Sequence, residues 1–138
     1  MLSRPAAGGS NKSYTLTKID ITKYKAGWEK EARRESAENE AARAQAMQIA
    51  SKLSDILVSH YPVRKVILYG SVLEPGRFKK TSDIDIAVEG LPKKHYFEAL
   101  AFLMEVSPFE VDLKPLEDVS DLLRQRIARG KVLYEKGR

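Results

Sequence analysis

A chain of 138 residues, 43% hydrophobic and 31% charged, is long enough for one domain with a single core and too short for two. The absence of cysteine excludes a disulfide framework and a thiolate metal site, and two histidines, His60 and His95, are a poor basis for a zinc centre. No apolar run approaches the roughly 18–20 residues of a spanning helix, and the first ten residues lack a secretory h-region, so a cytoplasmic address without membrane contact is expected. The net charge of +5 is uneven. Residues 1–27 hold Arg4, Lys12, Lys18, Lys23 and Lys25 against Asp20 alone, and the rest of the chain is near neutral. A basic arm on a near-neutral domain is only a weak argument for nucleic-acid binding; a solubilising tail is the expected reading, and direct nucleic-acid binding is not expected.

In chain order, residues 1–14 read as a loose Gly/Ser/Asn-rich tail. Thr15 to Ile21 alternates imperfectly, as a short edge strand or an arm lying on another element. Residues 1–23 together are expected to form a flexible basic arm, with residues 24–138 as the domain. From about 24 to 60 the composition is helical. Between Glu29 and Glu40 there is no apolar stripe, whereas Ala42, Ala46, Ile49, Leu53, Ile56 and Leu57 recur at helical spacing and predict a core-facing surface. Trp28 either marks a contact surface or folds back onto the Leu16–Ile21 segment.

Tyr61-Pro62 ends the helix. Val63 to Tyr69 reads as a strand buried on both faces, Asp83 to Val88 as a second, and Phe109 to Leu113 as a third, broken by Pro115. Pro92 sits at the start of a helix whose apolar face is Phe97, Leu100, Ala101 and Met104. The aromatics Tyr96, Phe97, Phe102 and Phe109 read as core. A last helix is expected from about Asp118 to Ala128, with Val119, Leu122, Leu123 and Ile127 inward and Gly130 as its stop. Val132 to Tyr134 closes the domain as a short extended piece. The expected class is a small mixed α/β (α+β) domain, a β-sheet flanked by helices.

Residues two apart in a strand share a face. In Asp83-Ile84-Asp85-Ile86-Ala87-Val88 the aliphatic residues take one face and Asp83 and Asp85 the other; in Phe109-Glu110-Val111-Asp112-Leu113, Glu110 and Asp112 lie opposite the apolar set. If both apolar faces meet the helices, three or four carboxylates share one open side and repel each other unless a cation intervenes. Oxygen donors without His or Cys select Mg²⁺, with Mn²⁺ as a substitute. Gly70-Ser71 after the first strand allows a tight turn with backbone N–H groups facing a phosphate. Arg77, Lys79 and Lys80 on the following loop are placed to meet triphosphate charge.

Gly70-Ser71, the Ser82-Asp83-Ile84-Asp85 run twelve positions on, and the later Val111-Asp112-Leu113 resemble the signature of polymerase-β-type nucleotidyltransferases, and specifically the minimal nucleotidyltransferases (MNT domain proteins), over Val63 to about Tyr134. The resemblance implies the polymerase-β-like fold. It implies that Asp83 and Asp85 bind two Mg²⁺ ions with the triphosphate of ATP, and that Asp112 holds the second metal and helps activate the attacking hydroxyl. Gly70 and Ser71 would grip the β- and γ-phosphates, with Ser82 and Lys79 as further nucleotide-binding candidates. Many minimal members are antitoxins paired with a HEPN-domain toxin, and some transfer AMP from ATP to a tyrosine of that partner; this is the expected function. The alternatives are a catalytically silent antitoxin that neutralises its partner by binding, and a nucleotidyltransferase acting on a small molecule. Many relatives carry Arg after Gly-Ser, where this chain has Val72.

Overall fold

In the computed structural model, which describes residues 6–137, three α-helices and four strands follow in the order α1 (Ala6–His60), β1 (Lys65–Tyr69), β2 (Ile84–Glu89), α2 (Tyr96–Val106), β3 (Val111–Pro115), α3 (Asp121–Ala128) and β4 (Lys131–Glu135). The strands form one sheet in the order β3-β2-β1-β4. β1 runs antiparallel to β2 and β4, and β2 runs parallel to β3. The chain divides into two compact units, 1–37 and 38–138.

Within unit 38–138 the sheet has a helical layer on each side, and strand alternation decides what each layer meets. Val66, Leu68, Ile84, Ile86, Val88, Val111 and Leu113 face one way and form the main core with Ala46, Ala50, Leu53 and Leu57 of α1 and Ala99 and Leu103 of α2. The opposite face carries a smaller core, Ile67, Tyr69 and Ala87, with Leu116 and Ile127 from the α3 side. The α1 face read from sequence is the observed one, and residues 29–40 are exposed apart from half-buried Asn39.

Four details depart from the expectations. Residues 15–21 are helical within α1, not extended, because intrahelical hydrogen bonds satisfy their backbone without a partner strand; residues 1–5 of the expected arm lie outside the described residues. In α2 the buried set is Ala99 and Leu103 with Tyr96 and Leu100 against the core, while Phe97 and Met104 are exposed. The Tyr96 hydroxyl donates to the Leu113 carbonyl at 2.6 Å and fixes that rotation. In α3, which starts only after Ser120 accepts a capping bond from Leu123 N, Leu122 points to solvent. Pro115 does not break β3 but ends it, on a sheet edge where a missing N–H costs no ladder bond.

Within unit 1–37, Tyr24 and Trp28 stack on one another at 6.2 Å, and Trp28 is 64% exposed. Among the described residues no helix is long and apolar enough to cross a membrane. Leu53, fully buried, is expected to lose about 2–5 kcal/mol of stability as Leu53→Ala. Trp28→Ala is expected to change stability by less than about 0.5 kcal/mol. Urea denaturation of both variants measures this difference.

Candidate active site

The site grows out of the second sheet face. In the parallel register Asp85 stands beside Asp112, and in the antiparallel one it stands beside Tyr69. Paired residues project to the same face, so two carboxylates and a phenol end the face that Ile67 and Ala87 fill with core. Asp83, two positions before Asp85, is exposed at the mouth of β2. This corrects the fully open acidic side expected from sequence: Leu116 and Ile127 of the α3 layer cover the rest of that face.

The electrostatics follow from that placement. Burial, then the charges of Asp112 and Asp83, push the Asp85 carboxyl up to about 6, against the opposing pull of Arg126 and Lys114. Burial, followed by Asp85 and Asp112, likewise pushes the Tyr69 phenol up to about 12, so it is protonated at neutral pH. The Lys114 ammonium donates to both oxygens of Asp112, at 2.9 and 3.2 Å, and this hydrogen bond raises its own pKa. Arg126 lies over the Tyr69 ring, 5.9 Å from its centroid.

Gly70 forms the back of the site. Its φ of 88° with ψ of −157° lies in a region that favours glycine, and a Cβ built there collides with Asp85 Oδ2. The turn that follows is a single 3₁₀ turn, Ser71–Leu73. The Ser71 hydroxyl has no intramolecular partner among the described residues, whereas Val72 is fully buried.

The remaining candidates separate. Ser82 Oγ accepts from Lys79 N at 2.9 Å, so its hydroxyl closes the loop before β2. The Lys79 side chain is exposed. Lys80 is paired with Glu38 at 2.6 Å and Arg77 with Glu74 at 3.3 Å. Glu110 is exposed and contributes its carbonyl to Ile84 N at 2.9 Å.

Sequence reasoning passed over Lys114, Arg126 and Arg129. A cavity of about 570 Å³ opens between the Gly70 turn and the end of α3, lined among others by Tyr69, Gly70, Leu73, Arg77, Arg126 and Arg129. The signal for the two arginines lay only in their position at the end of a short helix, Arg126 in its last turn and Arg129 as its cap, which an apolar-periodicity reading discards.

Among the described residues no three acidic or histidine side chains are already gathered at ligating distance about one point. The donor set still fits a hard divalent cation. It offers oxygen alone, Asp85 is held under like-charge pressure that a cation relieves, and Asp112 stands beside it in the parallel register.

The fold and this placement of acids define a nucleotidyltransferase. Residues 51–138 match the family described as polymerase beta, nucleotidyltransferase, and the chain belongs to that family. Comparison with curated proteins finds no match. Among solved structures the chain is similar to the toxin–antitoxin MntA-HepT, at 26% identity over 65% of this chain and 73% of that one, with a TM-score of 0.52. It is similar to a toxin–antitoxin with AMP-PNP, at 29% identity over 64% and 74%, with a TM-score of 0.55. A third similar structure is a tri-AMPylated Shewanella oneidensis HEPN toxin in complex with MNT antitoxin, at 27% identity over 66% and 73%, with a TM-score of 0.52.

Two outcomes are expected. The Asp85 carboxyl is raised from 3.8 to about 6, so the folded state binds the extra proton, and its contribution to stability is present at low pH and lost as pH rises through about 6. In metal-free buffer at pH 7.5, Asp85→Asn is therefore expected to be more stable than the wild type by about 1 kcal/mol, once solvent screening is allowed for, and to lose that advantage near pH 4. Thermal melts at the two pH values read this difference. Gly70→Ala is expected to destabilise by about 1–3 kcal/mol through backbone strain and, by displacing Asp85, to abolish nucleotide binding in a calorimetric titration.

Proposed function

We propose that this chain is a Mg²⁺-dependent adenylyltransferase that moves AMP from ATP to a hydroxyl, a tyrosine of a HEPN-type toxin, and so acts as the antitoxin of that partner. The observation that carries this is the register pair Asp85–Asp112 set against the Gly70 turn. The similarity to MNT antitoxins, one of them in complex with an AMPylated HEPN toxin, supports the choice of group and acceptor.

Asp83 and Asp85 at the mouth of β2, with Asp112 beside them, would hold the metal ions; Mn²⁺ has the same ligand preference. Bound there, the cation supplies positive charge to the phosphates and lowers the pKa of a coordinated hydroxyl. The protein does the rest. The free Ser71 hydroxyl and the backbone N–H groups after Gly70 orient the phosphate chain. The acceptor oxygen forms a bond to the α-phosphorus while the bond from that phosphorus to the α–β bridging oxygen breaks. Pyrophosphate departs with the bond's electron pair, and the acceptor's proton passes to the Asp112 carboxylate, which Lys114 keeps oriented. Tyr69, protonated and buried, closes the inner wall against water.

The test uses Asp83→Asn with Asp85→Asn, which removes two formal charges at little cost in volume. Transfer of label from α-labelled ATP to the toxin partner is expected to fall at least about 1,000-fold, while the complex with the partner still forms on gel filtration. Undiminished transfer would overturn the assigned acids. If the variant still neutralises the toxin in cells as the wild type does, neutralisation is by occlusion and not by transfer. ATP affinity in the wild type is expected to be at least tenfold higher with Mg²⁺ than with EDTA.

A further inference from the structure

A nucleoside triphosphate brings about four negative charges, and cations with no other engagement are suited to receive them. The Gly70 turn supplies none: the next side chain after Ser71 is Val72, fully buried in the main core. Lys79, on the loop beyond the turn, is exposed and is not among the residues that line the cavity; the other nearby cations divide. Arg43 is tied to the Val72 carbonyl at 2.7 Å and to Glu40 at 3.0 Å. Arg77 pairs with Glu74, Lys80 with Glu38 and Lys114 with Asp112, and Arg124 donates to the Leu116 carbonyl at 2.8 Å. Arg126 and Arg129 have no acidic partner within ion-pair distance among the described residues, and both line the 570 Å³ cavity that begins at Gly70. Their spacing of three places them on one side of the end of α3. Arg126 is further held by the Tyr69 ring beneath it, and Gly130 brings the chain against the Leu68 carbonyl so closely that a Cβ would not fit.

We propose that Arg126 and Arg129 form the anion clamp of this site, receiving the β- and γ-phosphates of the nucleotide from α3 in place of a cation on the Gly70 turn. This rests on the nucleotidyltransferase reading above and names the groups that give it triphosphate specificity. The two arginines are positioning residues: they hold the leaving pyrophosphate end away from the carboxylates, which keeps the α-phosphorus at the Asp85–Asp112 end. The cavity is large enough for the purpose, since small-molecule sites span about 300–1,000 Å³.

The experiment compares the full-length wild type, Arg126→Gln with Arg129→Gln, and Arg126→Lys with Arg129→Lys. Each is titrated calorimetrically with inorganic tripolyphosphate, ATP and AMP, in EDTA and again in Mg²⁺. The Gln variant is expected to bind tripolyphosphate and ATP at least tenfold more weakly in both buffers, with AMP affinity within twofold of wild type. The Lys variant is expected to recover part of the loss, because a point charge replaces the guanidinium fork. Equal ATP affinity in wild type and Gln variant overturns the clamp and leaves the nucleotidyltransferase reading standing. An equal loss for ATP and AMP, or a fallen thermal midpoint, also overturns it, because the arginines would then be supporting the fold. A wild type that binds none of the three ligands in either buffer removes the nucleotide reading and the clamp with it.

Discussion

One sheet face in this protein has to serve two environments at once. Alternation in β1 and β2 sends Ile67 and Ala87 into the layer under Ile127 and, one step along the same face, sends Tyr69 and Asp85 to its end. Parallel pairing then sets Asp112 beside Asp85, with adjacent strands about 4.8 Å apart. A carboxylate bordered by core and by another carboxylate is costly to ionise, and that cost appears in the raised Asp85 pKa. The strands cannot avoid it, since a shift by one residue would turn every core side chain of β2 to the wrong face.

The surroundings are arranged around this crowding. Lys114, two residues beyond Asp112 on the same strand face, folds back to neutralise it, and Arg126 lowers the repulsion at Asp85 from the opposite side. Gly70 is required because any side chain would occupy the space of the Asp85 carboxylate. These are the positions where a sequence optimised only for stability would differ, and departures of that kind concentrate where a protein acts.

Much of this was legible from the chain because period two and period 3.6 are strict geometrical facts. The Asp83/Asp85 and Asp112 faces, the α1 surface from Ala42 to Leu57 and the Gly70 turn all follow from spacing alone. The rotation of α2 did not, because Phe97 and Met104 are as apolar as the residues that are buried, and a single hydroxyl bond from Tyr96 to Leu113 decides between them. Pro115 does stop β3, but as its last residue and not beyond it, because β3 is an edge strand, which only the assembled sheet reveals. The arginines of α3 escaped because a cation on a short amphipathic helix reads as solvated until the sheet places Tyr69 under it.

The Gly70 turn shows how packing in one layer dictates chemistry in another. Val72 is buried in the main core, and its carbonyl is fixed by Arg43 of α1, so that position is committed to joining the turn to the helix behind the sheet. The loop that follows is fastened too, by Phe78 packed edge-on against Phe109 at 5.7 Å and by Lys80 on Glu38. A turn held this rigidly presents its backbone N–H groups in a fixed direction, which favours recognition of a phosphate, but it leaves no side chain free to carry charge. The cavity wall facing the turn is the end of α3, which carries Arg126 and Arg129. If the proposed clamp holds, burial of Val72 and exposure of Arg126 and Arg129 are two consequences of one constraint, a turn anchored from behind that takes its charge from the facing wall.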